Sequence, residues 1–246
     1  LFVAGCRNQQ QDAPDAADMN SGKEFYVGIL PEQNIFRQRE RYEPLAEYLS
    51  KKSGVKVVLR IAASYQNLIA TLQSSELDAA FLGSFAGAVA LKKLESQPLA
   101  RMEYEDGAST YRGAIFVRND SGIATAQDMK GKTFVFVDKT TTAGWLLPLH
   151  FFKENGIDDP FSWLGETYFA GTHEDAVLDV VNNKADIGAA KDTIFYRLAE
   201  SDSRILNQLE ILASSPRVPE NTLLVRREID ESVKKAIRDT LLSMHQ

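Results

Sequence analysis

The chain has 246 residues, 44% hydrophobic and 25% charged, and 28 Lys+Arg against 34 Asp+Glu give a formal charge of -6. That length suits one large unit or two smaller ones, and an acidic balance without basic stretches among aromatics argues against a nucleic-acid partner. One cysteine, Cys6, excludes an internal disulfide, and with only His150, His173 and His245 beside it no convincing zinc set exists, so neither metal nor cofactor is expected. No apolar run approaches the ~18 residues of a membrane span.

The first residues, Leu1-Phe2-Val3-Ala4-Gly5-Cys6, read as the tail of a signal peptide: apolar residues, then small ones, then a cysteine. They resemble the bacterial lipobox, in which the cysteine becomes the lipidated first residue of the mature protein. Asn8 to Gly22, rich in Gln, Asp, Ala and Ser, fits a polar tether. Residues 1–23 are therefore expected to be leader remnant and tether. The competing reading is an N-terminal strand with a core cysteine.

From Glu24 to Leu30 a β-like run ends at Pro31, and Arg37 to Lys52 has a helical face of Tyr42, Leu45, Ala46 and Leu49, stopped by Gly54. Val55 to Ile61 is a strand rich in β-branched residues, and Ser64 can cap a helix through Ser74. Asp78 to Leu82 reads as a short buried strand and Phe85 to Leu94 as a helix. After Tyr111 the pattern restarts. Strands are predicted at Ala114 to Arg118, Lys132 to Val137 and Asp186 to Ala189, with helices at Ala143 to Glu154 and Glu174 to Asn182. Pro216 and Pro219 bracket a turn before a strand at Thr222 to Val225, and Glu231 to Met244 closes the chain as a helix. Short strands alternating with helices predict an α/β fold. The stretches Leu72 to Ala80 and Val180 to Gly188 echo each other: a helix end, a polar turn, then an aspartate opening a strand. Two units of similar build would explain that.

Several enzyme signatures fail. Gly131-Lys132-Thr133 lacks the earlier glycine of a phosphate loop, Ala126 standing in its place. Gly83-Ser84-Phe85-Ala86-Gly87 is not a nucleophile elbow, and His173-Glu174 has no second histidine. What survives is Thr140-Thr141-Thr142-Ala143-Gly144, placed where a strand hands over to a helix. Free amides and the helix dipole favour an anion there, and hydroxyls add donors, so no net positive charge is required. Plain capping is the alternative. His173, after Gly171-Thr172, either donates to an oxyanion or caps its helix. Lys191 and Asp192 lie at a strand's carboxyl end, where α/β sheets bind ligands, or form a solvated pair. Tyr65 and Ser84-Phe85 take corresponding places in the first half, and Tyr65 equally suits a core or rim aromatic.

Taken in order, Val27-Gly28-Ile29-Leu30-Pro31, Tyr42 to Leu49, Tyr65 to Ile69, Leu77 to Gly83, Asp120 to Ile123, Asp128 to Lys132, Thr141-Thr142-Ala143-Gly144 and Gly171-Thr172-His173-Glu174 resemble the phosphonate, phosphite and phosphate periplasmic binding proteins of ABC transporters. The resemblance implies a type II periplasmic-binding-protein fold of two lobes, each a mixed sheet flanked by helices, with the ligand cleft between them. The expected division is 24–112 plus 217–246 for one lobe and 113–216 for the other. It also implies a family segment, Ser-Thr-Ser-Gly, whose hydroxyls and amides hold the anion. Thr141 and Thr142 match its first two positions and Ala143 replaces its second serine. Tyr65 and His173 match family ligand residues, while Ser84-Phe85 stands where the family often carries a proline and a later tyrosine. Expected ligand contacts are thus Tyr65, Ser84, Phe85, Thr141, Thr142, Ala143, Gly144, His173, Lys191 and Asp192, with Cys6 lipidated. The function implied is import of a small phosphorus oxyanion with an ABC permease, by a monomer held in the periplasm or on the outer face of the cytoplasmic membrane. A lipoprotein reporting to a sensor kinase, or an enzyme on the same scaffold, are the rivals.

Overall fold

Strands built from small and β-branched apolar residues form two five-stranded sheets, each faced by helices. The structure, a computed structural model, describes residues 24–244; Cys6, the tether and His245 lie outside them. The first half contains β1 (Glu24–Ile29), α1 (Ile35–Ser53), β2 (Lys56–Ile61), α2 (Tyr65–Gln73), β3 (Ala79–Leu82), α3 (Ser84–Lys93), β4 (Gln97–Arg101) and β5 (Thr110–Tyr111). There follow β6 (Gly113–Arg118), β7 (Phe134–Phe136), α4 (Leu147–Glu154), α5 (Pro160–Trp163), β8 (Thr167–Phe169), α6 (His173–Val181), β9 (Ile187–Lys191), α7 (Asp192–Ser201), α8 (Arg204–Gln208) and β10 (Leu209–Ser214). The chain ends with β11 (Val218–Pro219), β12 (Thr222–Val225) and α9 (Glu231–Leu242).

One sheet has the order β2-β1-β3-β12-β4, parallel through β1, β2 and β3, with β12 antiparallel to both neighbours. The other has the order β10-β6-β9-β7-β8, parallel through β7, β8 and β9, with β6 antiparallel to β9 and β10. The chain crosses between sheets twice. The crossings pair as β5 and β11, Tyr111 opposite Val218 and Thr110 opposite Pro219. Beside them Ser215 N donates to Gly113 O at 2.9 Å, and Ser215 Oγ accepts from Gly113 N at 2.9 Å. Of the prolines expected to bracket a turn, Pro219 thus lies within a crossing strand and Pro216 just before it, because Val218 and Pro219 find partners far away in sequence.

The internal echo is structural. After α2, Glu76 N and Leu77 N donate to Thr71 O, and Ser75 takes the left-handed conformation at φ 67°. After α6, Lys184 N and Ala185 N donate to Asp179 O, with Asn183 at φ 64°. In each copy the free carbonyls of a helix end are satisfied by a left-handed turn of the same kind. The following aspartate then ties the next strand to its neighbour. Asp78 Oδ2 accepts from Tyr26 N at 2.9 Å and Asp186 Oδ2 from Thr133 N at 2.8 Å.

The main core gathers Leu68 and Leu72 of α2, Val177 and Val180 of α6, and Phe116 of β6, all at most 1% exposed. Gly188 on β9 must lack a side chain, since a Cβ there would lie 2.6 Å from the Phe116 ring. Among the described residues no helix is long and apolar enough to cross a membrane.

Candidate functional site

The three threonines sit at the carboxyl end of β7. Asp138 builds the turn: its Oδ1 accepts from Thr140 N at 2.8 Å and from Thr140 Oγ1 at 2.6 Å, and its carbonyl accepts from Thr141 Oγ1 at 2.7 Å. Thr142 to Leu146 then form a π-turn that runs into α4. Gly144 allows this close start, because a Cβ on it would meet Val137 Cβ at 2.4 Å. Thr142 Oγ1 accepts from Phe85 N at 2.9 Å, so the helix starts of α3 and of the threonine turn, one from each half, face each other across the cleft. Such starts carry partial positive charge, and their unpaired amides suit an anion.

A third helix start is already taken. His173 N and Glu174 N, opening α6, donate to the carbonyl of Glu32 at 3.1 and 3.3 Å. Gln38, buried in α1, pins that loop by accepting from Glu32 N at 3.1 Å and Gln33 N at 3.3 Å. Asn34 N donates to Glu174 Oε2 at 2.9 Å, and Thr172 caps α6 by accepting from Asp175 N.

Beneath lies a buried ionic cluster. Lys191 Nζ, on a side chain only 3% exposed, reaches Glu32 Oε1 at 2.7 Å, Glu220 Oε2 at 2.9 Å and Asn221 Oδ1 at 3.1 Å. It also stands 4.5 Å from the centre of the Tyr111 ring. Burial alone would favour a neutral lysine; Glu32 and Glu220 reverse that and raise it above its ordinary value. Burial likewise opposes charge on Glu32, but Lys191, then His173 and the hydrogen bonds from Lys191 and Asn221, hold its carboxyl down at about 2. Tyr104 Oη donates to Glu220, whose Oε2 also accepts from Asn221 N at 2.8 Å.

His173 is 2% exposed, and burial pushes its imidazole down to about 3, with Lys191 adding to that and Glu32 opposing it. Its Nδ1 accepts from Lys191 N at 3.3 Å, which places the proton of the neutral ring on Nε2. The ring is therefore neutral, not an imidazolium, and its one donor is Nε2–H. Tyr65, also 2% exposed, meets His173 edge-on with ring centres 6.3 Å apart. Its hydroxyl has no hydrogen-bond partner. Burial raises the Tyr65 hydroxyl well above a free tyrosine, so it is a neutral donor.

Tyr65, Thr140, Thr141, Thr142, His173 and Lys191 share one small cavity with Glu32, Tyr111 and Asn221. It measures about 10 Å³ for water centres, room for about one water. Of the residues read from the sequence, Ser84, Phe85, Ala143, Gly144 and Asp192 do not line it. Ser84 Oγ donates to Pro219 O at 2.6 Å, and Phe85 enters through its amide alone. Ala143 and Gly144 are buried supports of the turn. Asp192 starts α7, its Oδ1 accepting from Arg112 N at 3.0 Å and Thr193 N at 2.7 Å. Sequence reading missed Glu32, Tyr111, Glu220 and Asn221. Glu32 follows β1 at its carboxyl end, a place that the rule applied to Lys191 also covers. Glu220 and Asn221 precede an antiparallel strand, so they reach the same end from its amino side. Among the described residues no group of three or more His, Cys, Asp or Glu is placed to hold a metal ion.

Two mixed α/β halves joined by paired crossings, with a polar cavity between helix starts, define a type II periplasmic binding protein. Residues 27–246 match the family described as the periplasmic substrate-binding protein of the phosphonate ABC transporter, and the chain belongs to that family. It is 26% identical over 226 residues to the phosphonates-binding periplasmic protein of Escherichia coli K12, covering 90% of this chain and 66% of that one. It is 31% identical over 203 residues to the phosphate-import protein PhnD of Mycolicibacterium smegmatis, covering 79% and 63%. The chain thus spans about two thirds of the length of these relatives. Among solved structures it superposes with a TM-score of 0.82 on a binding protein component of an ABC phosphonate transporter from Pseudomonas aeruginosa, at 25% identity over 88% of this chain and 72% of that one. PhnD1 of Prochlorococcus marinus in complex with methylphosphonate gives 0.80 at 19% identity over 90% and 84%.

Proposed function

We propose that the protein is the extracytoplasmic solute-binding component of an ABC importer and holds a small phosphorus oxyanion of the phosphonate, phosphite or phosphate class. The observation that carries this reading is the Tyr65 hydroxyl, buried without a partner in the cavity that also holds the threonine turn and His173. A buried hydroxyl left unpaired costs about 1–3 kcal/mol, so a waiting ligand explains it better than packing does. The Tyr65 hydroxyl, Nε2–H of His173 and the donors of Thr142 supply hydrogen bonds without a net positive field. The names of the relatives point to the same ligand class. The lobes on this reading are 24–112 with 217–246, and 113–216. The protein works as a monomer, leaves its ligand chemically unchanged and delivers it to a membrane permease. Cys6 carries the lipid that holds it at the membrane's outer face.

Tyr65→Phe is the sharpest test. Removing an unpaired hydroxyl should leave denaturant stability equal or higher, while affinity for phosphite or methylphosphonate falls about tenfold or more. Thr142→Val should weaken both, because it also removes the acceptor of Phe85 N. Calorimetric titration beside urea melts reads both quantities. Unchanged anion affinity in Tyr65→Phe would overturn the site.

A further inference from the structure

We propose that Lys191 is a built-in counter-cation that makes the cleft reject oxyanions bearing a cationic substituent and select those with an uncharged one. This rests on the anion-site reading above and names the ligand subclass. An ammonium has three hydrogens, and all three of Lys191 are spent, on Glu32 Oε1, Glu220 Oε2 and Asn221 Oδ1. Asn221 in turn donates to Glu32 Oε1 at 3.2 Å, and Glu220 is also held by Tyr104 and Asn221 N. The two carboxylates, of which Glu32 lines the cavity, therefore already share a cation supplied by the protein itself. A ligand ammonium reaching them would meet a cation that is covalently attached, 3% exposed and covered by the Tyr111 ring at 4.5 Å. It would be desolvated and would have to displace Lys191 from the acceptors that it occupies, next to a like charge. An uncharged substituent suffers neither cost.

Ethylphosphonate and aminomethylphosphonate have nearly the same size and differ in charge, so they separate charge from volume. Calorimetry at neutral pH on the full chain should show methylphosphonate and ethylphosphonate binding, with aminomethylphosphonate at least about tenfold weaker than ethylphosphonate. In the double variant Lys191→Met with Glu220→Gln, Glu32 is left without its cation and the preference should shift toward aminomethylphosphonate. Wild-type affinities for the two compounds within about threefold of each other, or an unshifted preference in the double variant, would overturn the role of Lys191 while leaving the anion site standing. Binding of none of the three compounds would remove the anion site and this proposal with it.

Discussion

Lys191→Met should cost about 3–5 kcal/mol of stability at neutral pH, because it strands two carboxylates that were bonded to one ammonium. The pH dependence gives the change its signature. In the variant, burial and mutual repulsion raise the folded-state pKa of the carboxyl pair, so the folded form binds a proton more readily than the unfolded chain. Stability is then present at low pH and lost as pH rises, and the deficit against wild type should shrink from pH 8 to pH 5. Urea melts at the two values measure it. A deficit that stays constant would mean that lost packing, not stranded charge, is responsible.

Acid should destabilise the wild type, with His173 the first cause. Its imidazole is held at about 3 in the folded protein against 6.5 when free, so the unfolded chain takes up a proton that the folded one refuses. Stability is full above 6.5 and falls as pH drops toward 3; by pH 5 the loss from this group is about 2 kcal/mol. Glu32 acts in the same sense lower down, between 4.5 and about 2, as its carboxylate is forced to protonate. His173→Gln removes the upper part. The stability gap between wild type and variant should narrow by about 2 kcal/mol from pH 7 to pH 5. Parallel curves for the two proteins would place the acid sensitivity elsewhere.

Both expectations concern groups that the sequence made legible only in part. The strand-to-helix threonine turn could be read because its ingredients are consecutive, and Tyr65 and His173 because they sit at helix starts in recognisable segments. The Glu32, Lys191 and Glu220 cluster could not, since its members come from two loops and a strand end far apart in the chain and a charged residue in a string carries no sign of burial. Lys191 and Asp192 read as one pair, yet one is the centre of the ionic cluster and the other opens α7 and ties it to Arg112 N. β4, with Pro98 and mostly half-exposed residues, offers too little apolar pattern to stand out. β12 was legible as a strand, but its antiparallel direction, which brings Asn221 to the cavity, is set by the crossing chain.

The bonds that span the cleft, from Phe85 N to Thr142, from Asn34 N to Glu174 and from the α6 amides to Glu32, join the protein's own groups and involve no ligand atom. For the proposed binding protein this shifts the burden from thermodynamics to kinetics. Bonds of this kind lower the share of the ligand's affinity spent on closure, but the closed cavity is too small to admit a tetrahedral anion until they break. Capture then proceeds at the pace of spontaneous opening: faster with more ligand at first, then levelling off at a ceiling set by the protein alone. Release meets the same barrier from the other side, so a partner that pries the Glu32 loop from α6 would govern when the cargo leaves.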